Sequence, residues 1–130
     1  MMMPADYRCH KDHLWVKPMG GDVVQVGITH YAQDNLGEVV YVDCPSVGAE
    51  IEQGVSFGIV ESVKVVSDLV SPVSGSVLEV NALLSADPCC LNREPYGEGW
   101  LLKVRLADPG QLDALMTGAD YERHVAGKDA

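Results

Sequence analysis

The chain has 130 residues, 47% of them hydrophobic, and nineteen Asp and Glu against nine Lys and Arg give a formal net charge of −10. A length typical of one domain allows a single core with no linker, and so acidic a balance excludes nucleic acid and anionic membrane surfaces, whose charge would repel it. No apolar run approaches the ~18 residues that cross a bilayer, and the N-terminal MMMPADYRCHKDHLW lacks the build of a signal peptide, so a soluble, cytoplasmic protein is expected.

Thirteen glycines and seven prolines cut the sequence into short segments, which predicts a mostly-β domain. In chain order, strands are expected at Leu14–Lys17, Asp22–Gly27, Glu38–Val42, Ser56–Val63, Val66–Ser71, Gly75–Val80 and Trp100–Leu106. Gly20-Gly21, Pro45–Gly48, Gln53-Gly54 and Pro72–Gly75 supply turns. Thr29 is placed to cap a short helix over His30–Leu36, with Gly37 ending it in a left-handed conformation. Asp108-Pro109-Gly110-Gln111 combines a side-chain cap, proline at the first helical position and Gln three residues after the cap, which predicts a helix running through Leu112, Leu115 and Met116. A last helix is expected over Ala119–Val125. Trp15 and Trp100 border strands and read as core anchors.

Cys9, Cys44, Cys89 and Cys90 form no CxxC pair, and neighbours such as Cys89 and Cys90 are badly placed to bond to each other, so all four are expected as free thiols. Cys9, His10 and His13 lie close together in sequence but lack a fourth ligand at a recognised zinc spacing, and no metal is assigned to them. No G-x-S-x-G element, P-loop or dinucleotide fingerprint is present.

One segment conflicts with local propensity. Phe57 to Ser71 would make a strand of 15 residues, beyond the roughly 3 to 10 usual in globular proteins. A fold-back near Val63-Lys64-Val65 restores ordinary lengths, yet no Asn-Gly, Asp-Gly or proline marks a tip there, and valine is disfavoured in turns. A local rule broken at one position points to function. A lysine at a hairpin tip presents an amine on a flexible stem to a modifying enzyme; the same residue also suits a surface charge that keeps a valine-rich strand in water. Spacing leaves both readings open.

Glu61-Ser62-Val63-Lys64, followed by Ser67-Asp68 and Pro72-Val73-Ser74-Gly75, resembles the lipoyl-attachment segment of the glycine cleavage system H proteins. His13-Leu14-Trp15-Val16, Val26-Gly27-Ile28-Thr29, Tyr31-Ala32-Gln33, Leu36-Gly37-Glu38-Val39 and Pro95-Tyr96-Gly97-Glu98-Gly99-Trp100 agree in order, and the resemblance runs from about Tyr7 to Val125. It implies a barrel-sandwich hybrid, two antiparallel sheets of the lipoyl-domain type with short flanking helices, one of them C-terminal. It also implies a carrier without catalytic residues, bearing lipoate in amide linkage on Lys64. The implied partners are glycine decarboxylase (P protein), which loads an aminomethyl group, the tetrahydrofolate-dependent aminomethyltransferase (T protein), which unloads it, and dihydrolipoamide dehydrogenase (L protein), which reoxidises the dithiol. A lipoate ligase or a lipoyl or octanoyl transferase makes the attachment.

The resemblance makes Glu61, Ser67 and Asp68 candidates for recognition by the lipoylating enzyme, and Asp68 and His13 candidates for contact with the loaded arm, whose amine is cationic. Leu14 departs from the family, which usually has an acid between the histidine and the tryptophan, and Val65 and Val66 replace smaller residues. The departure at Leu14 leaves an alternative: an H-like relay that donates lipoate to 2-oxoacid dehydrogenase complexes. A biotin carrier is disfavoured because Val63 and Val65 stand where methionines usually flank the lysine. An unmodified structural β-domain is disfavoured by the joint match.

Overall fold

In the computed structural model, which describes residues 6–129 and side chains up to residue 125, the valine-rich segments pair as antiparallel strands. In chain order the elements are β1 (Arg8–Cys9), β2 (Leu14–Gly20), β3 (Val23–Ile28), α1 (His30–Leu36), β4 (Val39–Asp43), β5 (Glu50–Ile51), β6 (Ser56–Ser62), β7 (Val66–Val70), β8 (Gly75–Val80), α2 (Leu83–Ala86), α3 (Cys90–Arg93), β9 (Leu102–Leu106), a 3-10 turn (Pro109–Leu112), β10 (Met116–Thr117) and α4 (Gly118–Asp129). They build a seven-stranded sheet of order β10-β1-β2-β3-β9-β8-β5 and a three-stranded sheet of order β4-β6-β7. This is the expected mostly-β architecture with flanking helices.

Strand alternation explains the core. Leu14, Val16, Val24, Val26, Leu102 and Val104 from the large sheet join Val39, Val60 and Leu69 from the small one in a single buried cluster. Trp15 points the other way and is buried as well, because Tyr7, Cys9 and Tyr121 cover the opposite face of the large sheet at that point. A run of three consecutive buried residues in β2 therefore marks a strand packed on both faces. Gly27 sits directly across from Trp15, and a Cβ there would fall 2.4 Å from the indole Cζ2. Only a glycine leaves the ring its place, from which Nε1–H donates to the Pro95 carbonyl at 2.7 Å.

Helix α1 forms as its caps dictate. Thr29 Oγ1 accepts from the Ala32 N–H at 3.2 Å, and the Gly37 N–H donates to the Gln33 carbonyl at 3.0 Å. Gly37 has φ 77° and ψ −157°, so it carries the chain straight from the helix into β4 instead of curling it back.

The helix expected after Asp108 is cut short. Asp108 accepts from the Gly110 N–H at 3.0 Å, but Gln111 Oε1 accepts from the Ser74 N–H at 2.7 Å, so this side chain does not reach back to the cap. A 3-10 turn results, and Met116 pairs with Cys9 in the sheet. The last helix, expected over Ala119–Val125, extends over Gly118–Asp129. The strand expected from Trp100 begins at Leu102, and Trp100 is half-buried with the Lys103 ammonium 5.3 Å from its ring centre. The short β1, β5 and β10 and the single turns α2 and α3 lie outside the sequence expectations. Cys44, Cys89 and Cys90 are free thiols.

Candidate functional site

Strands β6 and β7 are the arms of the hairpin whose existence strand length required. The Ser62 N–H donates to the Val65 carbonyl at 2.8 Å, closing a loop of two residues, Val63 and Lys64. Such loops ordinarily need positive φ at their centre, and neither Val63 nor Lys64 has it. The Ser62 hydroxyl supplies the missing turn chemistry: Oγ accepts from the N–H of Lys64 at 3.3 Å and of Val65 at 3.2 Å. The tip is also tied to the neighbouring strand, the Val63 N–H donating to the Glu38 carbonyl at 3.0 Å.

Lys64 is exposed. Its stem runs over Gly37, where an added Cβ would lie 3.3 Å from the Lys64 Cε. The backbone beneath the amine is thus held from three sides, while the amine stays in solvent. Val63, Val65 and Val66 around it are 68%, 42% and 58% exposed, so hydrophobic burial does not account for these valines. They form an apolar collar about the lysine.

A groove of about 340 Å³ opens beside the hairpin. Leu14, Ile28, Leu36, Val60, Val65 and Leu69 give it an apolar floor, and Asp12, His13, Tyr31, Asn35, Ser67 and Asp68 a polar rim. The groove joins segments distant in sequence: the β1–β2 turn, the end of β3, helix α1, and the hairpin. With two aspartates and no lysine or arginine along it among the described residues, it favours a cation at its rim and an apolar chain along its floor.

His13 holds its wall by an unusual backbone. Its φ is 72°, a conformation that histidine tolerates better than most residues. Its Nδ1 lies 2.8 Å from the Tyr121 hydroxyl, which lies 2.8 Å from Thr29 Oγ1. Tyr121, on α4, is fully buried, and burial keeps its hydroxyl protonated far above the ordinary tyrosine range, offset in part by the bond to Thr29. One phenol therefore links the turn that carries His13 to the cap of the helix that carries Tyr31.

Of the residues singled out in the sequence, the groove brings together His13, Ser67 and Asp68. Ser67 faces Val60 across the hairpin, and Asp68, opposite Ile59, takes a 3.4 Å contact from Ser56 Oγ. Glu61 does not line the groove; it stands between Tyr41 and Val66 on the three-stranded sheet. Leu14 is 3% exposed and part of the core, so its packing explains an apolar side chain there, and Asp12 and Asp68 provide acids on the same groove. Sequence reasoning missed the roles of Ser62, Asn92 and Tyr121, and it read Gly37 as the end of α1 but not as the surface beneath the Lys64 stem. A serine two residues before an otherwise unmarked tip was the available signal for the first; Tyr121 carried none. Pro95 and Tyr96, given no role beforehand, accept from Trp15 and meet the His30 N–H at 3.0 Å, respectively.

The chain matches the family model described as glycine cleavage H-protein over residues 7–128. The glycine cleavage system H protein of Clostridioides difficile is 52% identical over 122 residues, covering 94% of this chain and 97% of that one. The mitochondrial H protein of Oryza sativa subsp. indica is 50% identical over 118 residues, covering 91% and 71%. Among solved structures, a glycine cleavage system H protein from Mycobacterium marinum superposes with a TM-score of 0.86 at 37% identity, covering 95% of this chain and 99% of its own. A match that spans both sheets, the hairpin and the groove makes this chain a member of the glycine cleavage H-protein family.

Proposed function

We propose that the protein is a non-catalytic lipoyl carrier, with lipoate in amide linkage on Lys64, that passes the aminomethyl group of glycine from the P protein to the T protein. The observation that carries this reading is an exposed amine on a two-residue tip whose backbone is fastened by Ser62 and Glu38. The residues fit the group: the tip leaves the amine open, and the neighbouring groove offers an apolar floor and an acidic rim. Lipoate, when bound, supplies a reversible disulfide and dithiol that accept and release the one-carbon unit.

The chain's own residues orient and shelter. Val60, Val65 and Leu69 give the arm an apolar bed, and Asp12, Asp68 and His13 face the end where a cationic amine would come to rest. Glu61, Ser67 and Asp68 serve as contacts for the lipoate ligase or the lipoyl or octanoyl transferase. Tethering keeps the arm at a high effective concentration near each partner, including the L protein. The relay reading has no observation in its favour, since the leucine that motivated it is a core residue beside two available acids.

The test is the intact mass of the protein after incubation with a lipoate ligase, lipoate and ATP, beside Lys64→Arg. Gain of one lipoyl group, lost in the variant, is the expected result. A folded protein that gains nothing, or an unchanged gain in the variant, would overturn the assignment.

A further inference from the structure

Helix α3 is a single turn, and one side chain on it makes three hydrogen bonds to the ground on which the hairpin rests. Asn92 Oδ1 accepts from the Val39 N–H at 2.9 Å. Its Nδ2 donates to the Gly37 carbonyl at 2.7 Å and to Gln33 Oε1 at 3.1 Å. The amide therefore grips the backbone on both sides of Glu38, as a neighbouring strand would grip it. Glu38 in turn accepts from the Val63 N–H, and Gly37 lies under the Lys64 stem. From the same turn Cys89 adds a longer contact, its Sγ donating to the Val39 carbonyl at 3.4 Å.

From this arrangement we infer that Asn92 is a positioning residue for the acylation of Lys64. It fixes the height and direction of the 37–39 segment, and through it both anchors of the lysine: the bond from Val63 and the surface beneath the stem. A modifying enzyme that reads a rigid tip meets Lys64 in one place only while this segment is held. Gln33, whose side-chain nitrogen lies 2.8 Å from His30 Nδ1, extends the same network into α1, the helix that walls the groove. The inference rests on Lys64 being the attachment point.

The experiment compares the full chain with Asn92→Ala and Asn92→Asp, well below their melting temperatures. Two quantities are read: kcat/KM for lipoylation by a lipoate ligase, and hydrogen exchange at the Val63 amide. Aspartate keeps the acceptor for Val39 but sets a carboxylate oxygen against the Gly37 carbonyl in place of the donor, so it separates the two grips, and Asn92→Ser is the fallback should either variant fail to fold. Alanine loses all three hydrogen bonds and aspartate the two that Nδ2 donates, and each variant is expected to lower kcat/KM by about ten-fold, the equivalent of roughly one net hydrogen bond at the tip. Faster exchange at Val63 should accompany the drop. A role confined to stability would lower the melting temperature and leave kcat/KM of the folded protein unchanged. Unchanged kcat/KM in either folded variant, or unchanged exchange at Val63, overturns the inference. Failure of the wild-type chain to accept lipoate instead removes the assignment of Lys64, and Asn92 loses its role in acylation with it.

Discussion

Replacing Ser62 by alanine tests whether a serine hydroxyl, and not the central residues, makes the Lys64 turn. The hydroxyl accepts two N–H groups at 3.2 and 3.3 Å, both long for hydrogen bonds, in a residue that is 6% exposed. Lys64 itself is exposed, so water can replace part of what is lost, and the net cost comes to about 1 kcal/mol, near the cost of losing a helix cap. An unfolding entropy of about 2.1 cal/mol/K per residue, taken over 130 residues, turns that into a fall in Tm of about 4 °C. Ser62→Thr keeps the hydroxyl and suits a strand end, so it should stay near the wild-type Tm. Thermal unfolding followed by circular dichroism gives the Tm values, and hydrogen exchange at Lys64 and Val65 should rise in the alanine variant alone. Alanine and threonine variants with equal Tm and equal exchange would refute this account of the turn.

Gly27→Ala drives a methyl group into Trp15 and should cost about 3 kcal/mol, the upper range for overpacking, with the Trp15 fluorescence shifting as the indole leaves its site; urea denaturation measures the loss. Tyr121→Phe removes the bonds to His13 and Thr29 and should cost about 2 kcal/mol, with changed NMR shifts along the groove wall; a variant as stable as the parent would show that the phenol does not tie His13 to the α1 cap. On the alkaline side, burial pushes the Cys9 thiol far up and the Cys44 thiol up to about 12, while the unfolded chain ionises both from about pH 9. A folded pKa above the unfolded one means stability that is intact below pH 9 and declines above it, each thiol adding about 1.4 kcal/mol per pH unit to the slope. Urea midpoints at pH 8, 9 and 10 should show this decline, and Cys44→Ala should make it shallower than in the parent.

Much of the site was legible because its signals were local. Strand length placed the fold-back at Lys64, and Thr29 and Gly37 marked the ends of α1 through caps that depend on a few neighbouring residues. The helix after Asp108 failed under the same kind of reasoning, because two distant partners competed for its residues: Ser74 took the Gln111 side chain, and Cys9 drew Met116 into the sheet. Leu14 read as a missing acid in the sequence and proved to be a core residue, since strand alternation gave its direction but not what covered each face.

The sequence by itself determined the mostly-β class, from its glycine and proline spacing, and the hairpin with the lysine at its tip, from strand length and an ordered set of motifs in the absence of any turn residue there. Only the tertiary structure decided that Asp12, His13, Tyr31 and Asp68 share one groove, that a phenol on the C-terminal helix reaches its wall, and that Asn92 holds the ground beneath Lys64. The physical reason is that a capping bond or a strand period is set within a few residues. A groove or a side-chain clamp exists only after chain closure has brought remote segments within hydrogen-bonding distance.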